Sequence, residues 1–278
     1  MKKFMVTAGI VLVFILGFSI MLYPTVASYI NSLRQSRVVS QYYRDIGNLS
    51  MGDFDKIRAE ANEYNEKIRN KPDRFVFSEE NKDEYFELLN PAGKGIMGTL
   101  YIAKINVRLP IYHGTDEAVL QLGAGHFEGS SLPVGGLGTH SVVTGHRGLP
   151  SSIMLTNLDQ LMVGDTFTLI ILNEILTYQV DQILEVEPHE LWPLEIDVKE
   201  DYCTLITCTP YAINSHRLLV RGSRIANEDV DIKSPVYRPD ADAVVIEPLH
   251  ITMLIMVPVL LVTLIFLIVR IVREYKKR

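Results

Sequence analysis

The stretch TLITCTPYAINSHRLLVRG (204–222) predicts a strand, a proline-containing loop and a second strand that returns beside the first. Its first β-branched run ends at Cys208, and Pro210 stops that strand because proline has no backbone N–H to donate. The loop TPYAINSH (209–216) is short enough to return Arg217 to a position beside Cys208. We therefore expect a cysteine and an arginine to meet at one rim of a β-structure.

Short β-branched runs separated by turn residues continue from residue 96 to residue 225, a pattern typical of a compact all-β domain. About seven or eight such strands are enough to close a small barrel. We therefore predict a closed β-barrel of seven to eight strands over 96–225, preceded by helices. The predicted strands are 99–105, 109–113, 140–146, 166–172, 177–186, 202–208 and 217–223.

The segment before the barrel, 32–95, is predicted to be helical and then irregular. Residues 32–70 are rich in Glu, Arg, Lys, Gln and Ala, which favour helices. The residues GNLSMG (47–52) predict a break between two helices, with Asp53 as candidate N-cap of the second. Prolines and glycines in 71–95 predict a loop across the surface of the domain.

Two uncharged apolar runs, 4–22 and 251–269, each have about the length that crosses a bilayer. Lysines precede the first run, and Lys and Arg residues follow the second, so both termini are predicted to be cytoplasmic. The barrel between them then lies outside the cell, anchored in the cell membrane by two passes. The remaining segments are a first membrane helix at 1–23, a tether at 226–249, a second membrane helix at 250–270 and a basic cytoplasmic tail at 271–278.

The first apolar run has a second interpretation. A basic start, an apolar stretch and small residues at 26–28 also fit a cleaved signal peptide. The length of the run favours retention, because signal-peptide cores are usually shorter. The second run would anchor the domain in either case.

Charge argues against nucleic-acid binding, and the cysteine spacing argues against a disulfide. The net charge is −6, and no block of Lys or Arg lies outside the membrane flanks, which argues against nucleic-acid binding. Cys203 and Cys208 are the only cysteines. Extended residues five apart point to opposite faces, so a disulfide between them is not expected. We predict that Cys203 is buried and that Cys208 is open to substrate.

A reactive thiol needs a base or an imidazolium partner. His146 is the best candidate of seven histidines, because it ends the run SVVTGH (141–146) where a strand gives way to a loop. Arg217 is the candidate that offsets charge developing on a carbonyl oxygen. We interpret His140 and His216 as supporting or surface residues.

Several segments together resemble the class C sortases, the pilus-assembling branch of that family. The resemblance covers about 81–225 and implies that Cys208 is the nucleophile, His146 the acid and base, and Arg217 the stabiliser of oxyanion and substrate. It implies no cofactor. The segments are TLITCTPYAINSHRLLVRG (204–222), GTHSVVTGHRGLP (138–150), LPIYHGT (109–115), GAGHFEGSSLPVGG (123–136) and VGDTF (163–167).

The resemblance implies a two-step transfer. Cys208 attacks the Thr–Gly bond of an LPXTG-like sorting signal and forms a thioacyl enzyme, while His146 protonates the leaving amine. A lysine amine of another pilin subunit then resolves the thioester, so the expected partners are pilin subunits at the membrane.

Three alternatives stay open at this point. The same three residues would serve a housekeeping sortase that attaches proteins to the cell wall, or a cysteine peptidase that only hydrolyses. A non-enzymatic assembly module with a zinc site is the third. The close spacings C-x2-C and H-x3-H that favour zinc are absent from the sequence.

Class C sortases usually carry a lid with Asp-Pro-Phe or Asp-Pro-Trp, whose acid pairs with the active-site arginine. The nearest match here is Asp73-Arg74-Phe75, which lacks the middle proline. Our hypothesis is that Asp73 and Phe75 form a degenerate lid. The alternative is an ordinary charged loop beside an open site.

Overall fold

Three helices precede the barrel in the computed structural model, which describes residues 2–76 and 79–227 and the single positions 258, 265, 269 and 273. Helix α1 spans Lys2–Ile46, α2 spans Met51–Arg69 and α3 spans Glu79–Glu87. The predicted break between the first two helices is confirmed, but the expected N-cap is wrong. Ser50 caps α2, because its hydroxyl accepts from the backbone N–H of Asp53 while the Asp53 carboxylate accepts from Ser50 N at 2.8 Å.

Helix α3 lies in the interval 71–95, where the sequence predicts only a loop. A nine-residue helix is marginal by itself, and tertiary contacts supply most of its stability. Tyr85 of α3 is fully buried, and its ring lies 5.1 Å from that of His113 and 5.7 Å from that of His126. The Tyr85 hydroxyl lies 2.9 Å from His126 Nδ1 and also accepts the Gly114 backbone N–H. These contacts fix the helix against the barrel.

In the described part of the chain, eight strands form the barrel, and their order around it is β1-β2-β3-β4-β7-β8-β6-β5. The β2–β3 and β4–β7 pairs are parallel, and the other described pairs are antiparallel. The predicted closed barrel is thereby confirmed. The strands are β1 (Ile96–Ile102), β2 (Val107–His113), β3 (Ala124–His126), β4 (Thr139–Thr144), β5 (Thr166–Ile171), β6 (Glu174–Val186), β7 (Asp201–Thr209) and β8 (His216–Arg224).

Three strands differ from expectation in ways that matter for the site. The strand predicted over 140–146 ends at Thr144, so His146 lies in the loop after it. The first strand was predicted to run to residue 105, but it ends at Ile102 because residues 103–105 form a 3₁₀ turn. That turn closes at Asn106, whose φ of 53° lies in the left-handed region that asparagine tolerates. Strand β3 was not predicted. A four-residue helix, α4 (Glu117–Leu120), lies between β2 and β3.

The barrel core is continuous with the packing of α1 and α2. Tyr42 of α1 is buried, and its hydroxyl donates to Met97 O at 2.9 Å and accepts from Leu172 N at 3.1 Å. Asn65 of α2 is also buried, and its amide bonds both the N–H and the carbonyl of Leu132. Both helices therefore bond backbone groups of the barrel and its loops.

Among the described residues, one helical segment, Val11–Ile46, is long and apolar enough to cross a membrane by length and composition. It lies near the N-terminus and overlaps the first predicted run. The sequence predicts a separate helix from residue 32, whereas α1 continues without a break. Apart from isolated positions, the second run (251–269) and nearly all of the predicted tether lie outside the described residues, so the two-pass arrangement stays a prediction.

Replacing Tyr42 by phenylalanine tests the link between α1 and the barrel. The Tyr42→Phe variant should lower the free energy of unfolding by about 1–3 kcal/mol, because two buried backbone groups lose their partner. Urea titration of the full chain in detergent, followed by circular dichroism, measures the change. Tyr101→Phe is the control, since Tyr101 is partly exposed. An equal effect of the two substitutions would contradict this assignment.

Candidate active site

Strands β7 and β8 and the loop after β4 carry the three predicted residues. Cys208 pairs directly with Arg217 across the antiparallel strands β7 and β8. In the parallel pair β4–β7, Thr144 lies opposite Ile206. Strand β4 ends at Thr144, and the Gly145 N–H still donates to Ile206 O at 3.0 Å, so the chain passes the Cys208 end of β7 as it reaches His146. Residues directly opposite each other on paired strands point to the same face, so the β7–β8 register directs Cys208 and Arg217 to one face.

That face is the outer face of the barrel. Cys203 and Leu205 of β7 belong to the main core, whereas Ile206 belongs to a second apolar cluster. Cys208 is two residues beyond Ile206 and shares its face. The cluster forms an apolar floor that leads to the thiol. Its buried members are Val142, Val186, Leu194, Ile206 and Leu219, with Phe75, Phe127, Leu184 and Leu191 packed against them.

The two cysteines are both free thiols, in different environments. Cys203 is fully buried, and burial, followed by the negative charge of Asp201, raises the pKa of its thiol well above the ordinary value. Cys208 is only partly buried. The parity argument from the sequence therefore assigned the two faces correctly.

His146 follows the end of β4 and is about 20% exposed. Its carbonyl accepts the Leu155 N–H at 3.1 Å, which holds the loop after β4. The ring atom Nε2 is buried and has no hydrogen bond among the described residues. Oε2 of Glu117 in α4 lies 3.3 Å from Nε2, which is within ion-pair distance, although the contact does not meet hydrogen-bond geometry. The sequence analysis did not identify Glu117.

Arg147 is a second residue that the sequence analysis missed. Its side chain is about 9% exposed, donates to Thr209 Oγ1 at 3.2 Å and forms an ion pair with Asp159. Thr209 is the neighbour of Cys208 in β7. The guanidinium therefore joins the loop that carries His146 to the strand end that carries the thiol.

The backbone of Arg217 lies opposite Cys208, but its guanidinium bonds to the loop that precedes β8. Its Nη1 donates to Asn214 O at 3.2 Å and to His216 O at 3.1 Å. Within residues 2–76 and 79–227, no carboxylate forms an ion pair with this guanidinium. A change of rotamer would be needed for Arg217 to reach an oxygen developing beside Cys208.

The tripeptide 73–75 lies over the apolar cluster. Phe75 packs against that cluster, with its ring centroid 5.6 Å from that of Phe127. Asp73 is exposed and, in the described residues, does not pair with Arg217. The expected pairing of acid and arginine is therefore not present in this structure.

Arg74 makes the polar contacts that fix the tripeptide. Its side chain is 5% exposed, and Nη1 lies 3.1 Å from Glu195 Oε2 while Nη2 donates to Leu194 O at 2.9 Å. The guanidinium also lies 4.5 Å from the centroid of the Phe75 ring. Gly129 allows the close approach, because a Cβ at this position would come within 2.1 Å of the Arg74 carbonyl oxygen.

His140 lies on the same face as His146 but is buried in a closed hydrogen-bond network. Its Nδ1 donates to Glu195 O at 2.8 Å, and its Nε2 accepts from Thr204 Oγ1 at 2.7 Å. Burial lowers the pKa of His140 to about 4. The ring is therefore neutral at ordinary pH, and it supports the loop between β6 and β7.

No group of three or more His, Cys, Asp or Glu side chains in the described residues is arranged to hold a metal ion. The zinc alternative therefore has no donor set among these residues.

Comparison with known proteins identifies the family. A family model described as the sortase domain matches residues 100–225. The chain is similar to the crystal structure of sortase C1 from Streptococcus agalactiae, with 47% identity over 69% of this chain and 100% of that chain and a TM-score of 0.66. It is also similar to sortase C from Streptococcus pneumoniae, with 40% identity over 68% of this chain and 97% of that chain and a TM-score of 0.60.

A curated relative, sortase D from Bacillus subtilis (strain 168), is 28% identical over 131 residues, which is 46% of this chain and 63% of the relative. The chain thus spans less than two thirds of the length of that relative. The family model and these relatives support the predicted class of enzyme, the cysteine transpeptidases. The chain belongs to the sortase family of these enzymes, and the two solved structures above confirm the predicted similarity to its class C branch.

The two cysteines provide a labelling test within one molecule. Iodoacetamide should modify Cys208 in the native chain and leave Cys203 unmodified, because only Cys208 has accessible surface. Peptide mass analysis after brief labelling gives the ratio, which we expect to exceed about 100 to 1. Both thiols should react in denaturant, which controls for reagent and digestion. Equal native labelling would contradict the assigned faces.

Proposed function

We propose that this chain is a membrane-anchored cysteine transpeptidase that cleaves an LPXTG-like sorting signal and transfers the acyl group to a lysine amine of a pilin subunit. The direct pairing of Cys208 with Arg217, beside an apolar cluster and with His146 two residues past the end of the neighbouring strand β4, is the observation that carries the proposal. The similarity to the S. pneumoniae sortase C, whose structure is described in terms of pilin substrate specificity, supports the substrate class.

In the first step the Cys208 thiolate attacks the carbonyl carbon of the threonine in the signal. Arg217 offsets the negative charge that develops on the carbonyl oxygen. His146 gives its proton to the departing glycine amine, the C–N bond breaks, and a thioester remains.

In the second step the neutral lysine amine of another pilin attacks the thioester carbonyl. His146 takes a proton from that amine, the C–S bond breaks, and the thiolate is regenerated. The product is an isopeptide bond between subunits. Atoms and charge balance without a cofactor.

The apolar groove supplies a place for the leucine and proline of the signal. Val142, Ile206 and Leu219 form its floor on three adjacent strands. Apolar side chains placed there would be removed from water and would hold the scissile bond near Cys208.

Anchoring at both ends is part of the proposal. The apolar segment of α1 supports a membrane anchor at the N-terminus, and the run at 251–269 would supply a second, cytoplasm-directed pass. Two anchors would keep the barrel at the outer membrane surface, where substrates with their own apolar C-terminal segment emerge.

We further propose that 72–76 is the lid, with a different anchor from the one expected. Phe75 covers the apolar groove, and Arg74 binds the loop between β6 and β7 through Glu195 and Leu194. Asp73 is not the anchor, because it stays exposed. Arginine at the middle position thus takes over the role that the acid has in the family pattern.

A transfer assay tests the proposed reaction. The full chain in detergent is incubated with a fluorogenic LPXTG peptide and a purified pilin that carries an acceptor lysine. Cys208→Ala should abolish cleavage and transfer, while Cys203→Ala should keep both, since removal of a nucleophile leaves only residual catalysis. Arg217→Lys should lower kcat/KM about 100-fold, because lysine lacks the planar fork.

The products distinguish the alternatives. A ligated pilin, identified by mass, supports transfer to lysine. Hydrolysis alone would indicate a peptidase, and transfer only to other amines would indicate a housekeeping role. Retained activity in Cys208→Ala would contradict the whole proposal.

The lid proposal predicts the rate at which iodoacetamide modifies Cys208. Arg74→Ala and Phe75→Ala should each raise the rate by about 5- to 30-fold, because losing roughly 1–2 kcal/mol of closed-state stability changes the open population by that factor. Asp73→Asn is the matched control and should match the parent chain. Unchanged rates in Arg74→Ala and Phe75→Ala would overturn the lid, and a fast Asp73→Asn variant would overturn the role given to Arg74.

A further inference from the structure

The carboxylate of Glu117 and the imidazole of His146 meet although 29 residues separate them in sequence. One carboxylate oxygen, Oε2, lies 3.3 Å from Nε2 of His146. The other, Oε1, accepts a hydrogen bond from Gln121 Nε2 at 2.6 Å. Gln121 caps the C-terminal end of α4, and its backbone N–H donates to the Glu117 carbonyl. Gln121 thus holds one carboxylate oxygen, while the other oxygen lies beside the His146 ring.

The short helix α4 is itself fixed to the barrel. The backbone of β3 at Gly125 leaves space for Leu120, since a Cβ there would come 3.0 Å from that side chain. Strand β3 pairs with β4 through His126 and Val143. The position of Glu117 relative to the end of β4 is therefore set by neighbouring strands.

We propose that Glu117 is a positioning residue for His146 in the transfer reaction. Its carboxylate holds Nε2 and stabilises the cationic ring, which leaves Nδ1 as the nitrogen that exchanges protons with substrate at Cys208. The inference rests on the proposed function and adds to it the partner of the acid and base.

Burial distinguishes this contact from an ordinary surface ion pair. Glu117 is 71% exposed, but Nε2 of His146 is buried, and Glu117 is the charged partner that the described residues give it. A buried ring N–H without a partner is costly, so the carboxylate determines which ring orientation is stable. An exposed carboxylate can fill this role because only the histidine side of the contact is removed from water.

The pH range of the contact follows from the groups around it. The Gln121 hydrogen bond, and then the charge of His146, hold the pKa of Glu117 below its ordinary value. The pair is therefore lost at low pH, when Glu117 is protonated. Cys208 on β7 is paired with Arg217 on β8, and Arg147, the next residue after His146, is engaged by Asp159.

The test compares Glu117→Gln with Asp116→Asn in the full chain in detergent, using the fluorogenic LPXTG peptide. Asp116 is the exposed neighbour and makes no side-chain cap of α4, so it controls for loss of one charge at this surface. Glu117→Gln should lower kcat about 10-fold with little change in KM, a part of the 10²–10⁴-fold that a positioned acid or base supplies. The alkaline limb of its pH profile should move to lower pH by about half a unit to one unit.

Two further variants sharpen the result. Glu117→Asp keeps the charge and should restore part of the pH profile, and Gln121→Ala should give an intermediate loss because the carboxylate is no longer held. A Glu117→Gln profile that superimposes on Asp116→Asn would overturn the inference, as would a uniform loss with no shift in pH. Cleavage that survives in Cys208→Ala would instead overturn the proposed function, which is a separate and recognisable result.

Discussion

The register between β4, β7 and β8 is the constraint on which the site depends. A shift by one residue in either pairing would turn Cys208 into the barrel and bring Cys203 to the outside, since neighbouring residues of a strand point to opposite faces. Interior polar contacts hold this register at the strand ends. Thr207 Oγ1 donates to Gly145 O at 2.8 Å, and Arg147 bonds Thr209. Each contact ties β7 to the segment that carries His146.

The outer face of the same sheet carries an apolar surface that must be covered in the absence of substrate. Full burial of a phenylalanine side chain contributes roughly 1.5–3 kcal/mol, and Phe75 contributes less than this because it is only partly buried. The contact of Arg74 with Glu195 adds little, because Glu195 is largely exposed, but the bond to the Leu194 carbonyl joins two buried groups. These contacts together favour the state in which residues 72–76 cover the apolar cluster by only a few kcal/mol. Under the proposed function, apolar side chains of a sorting signal would recover a similar burial, and the exchange of residues 72–76 for substrate would then be close to balanced.

Patterns within single strands made most of the barrel predictable, and contacts across the fold account for what was missed. Alternation and turn residues located seven strands, and parity along β7 separated Cys203 from Cys208. Strand β3 was not predicted because its three residues, one of them glycine, show no alternation of apolar and polar side chains. Helix α3 was not predicted because its stability comes from the contacts of Tyr85. Helix α4 was not predicted because four residues are too few to show a helical period. Glu117 and Arg74 contact residues that are distant in sequence, His146 and Glu195, and no local pattern encodes such contacts.

Burial prevents two histidines of the barrel from exchanging protons with a substrate. Burial lowers the pKa of His126 to about 3 and that of His140 to about 4, so both stay neutral across the range in which a thiol is used. Each is also bonded at both ring nitrogens, to Tyr85 and Ser131 in one case and to Glu195 and Thr204 in the other. Neither ring has a nitrogen left for substrate. His146 differs from both, because it is partly exposed and its Nε2 has no hydrogen bond among the described residues, and this difference supports the role proposed for it.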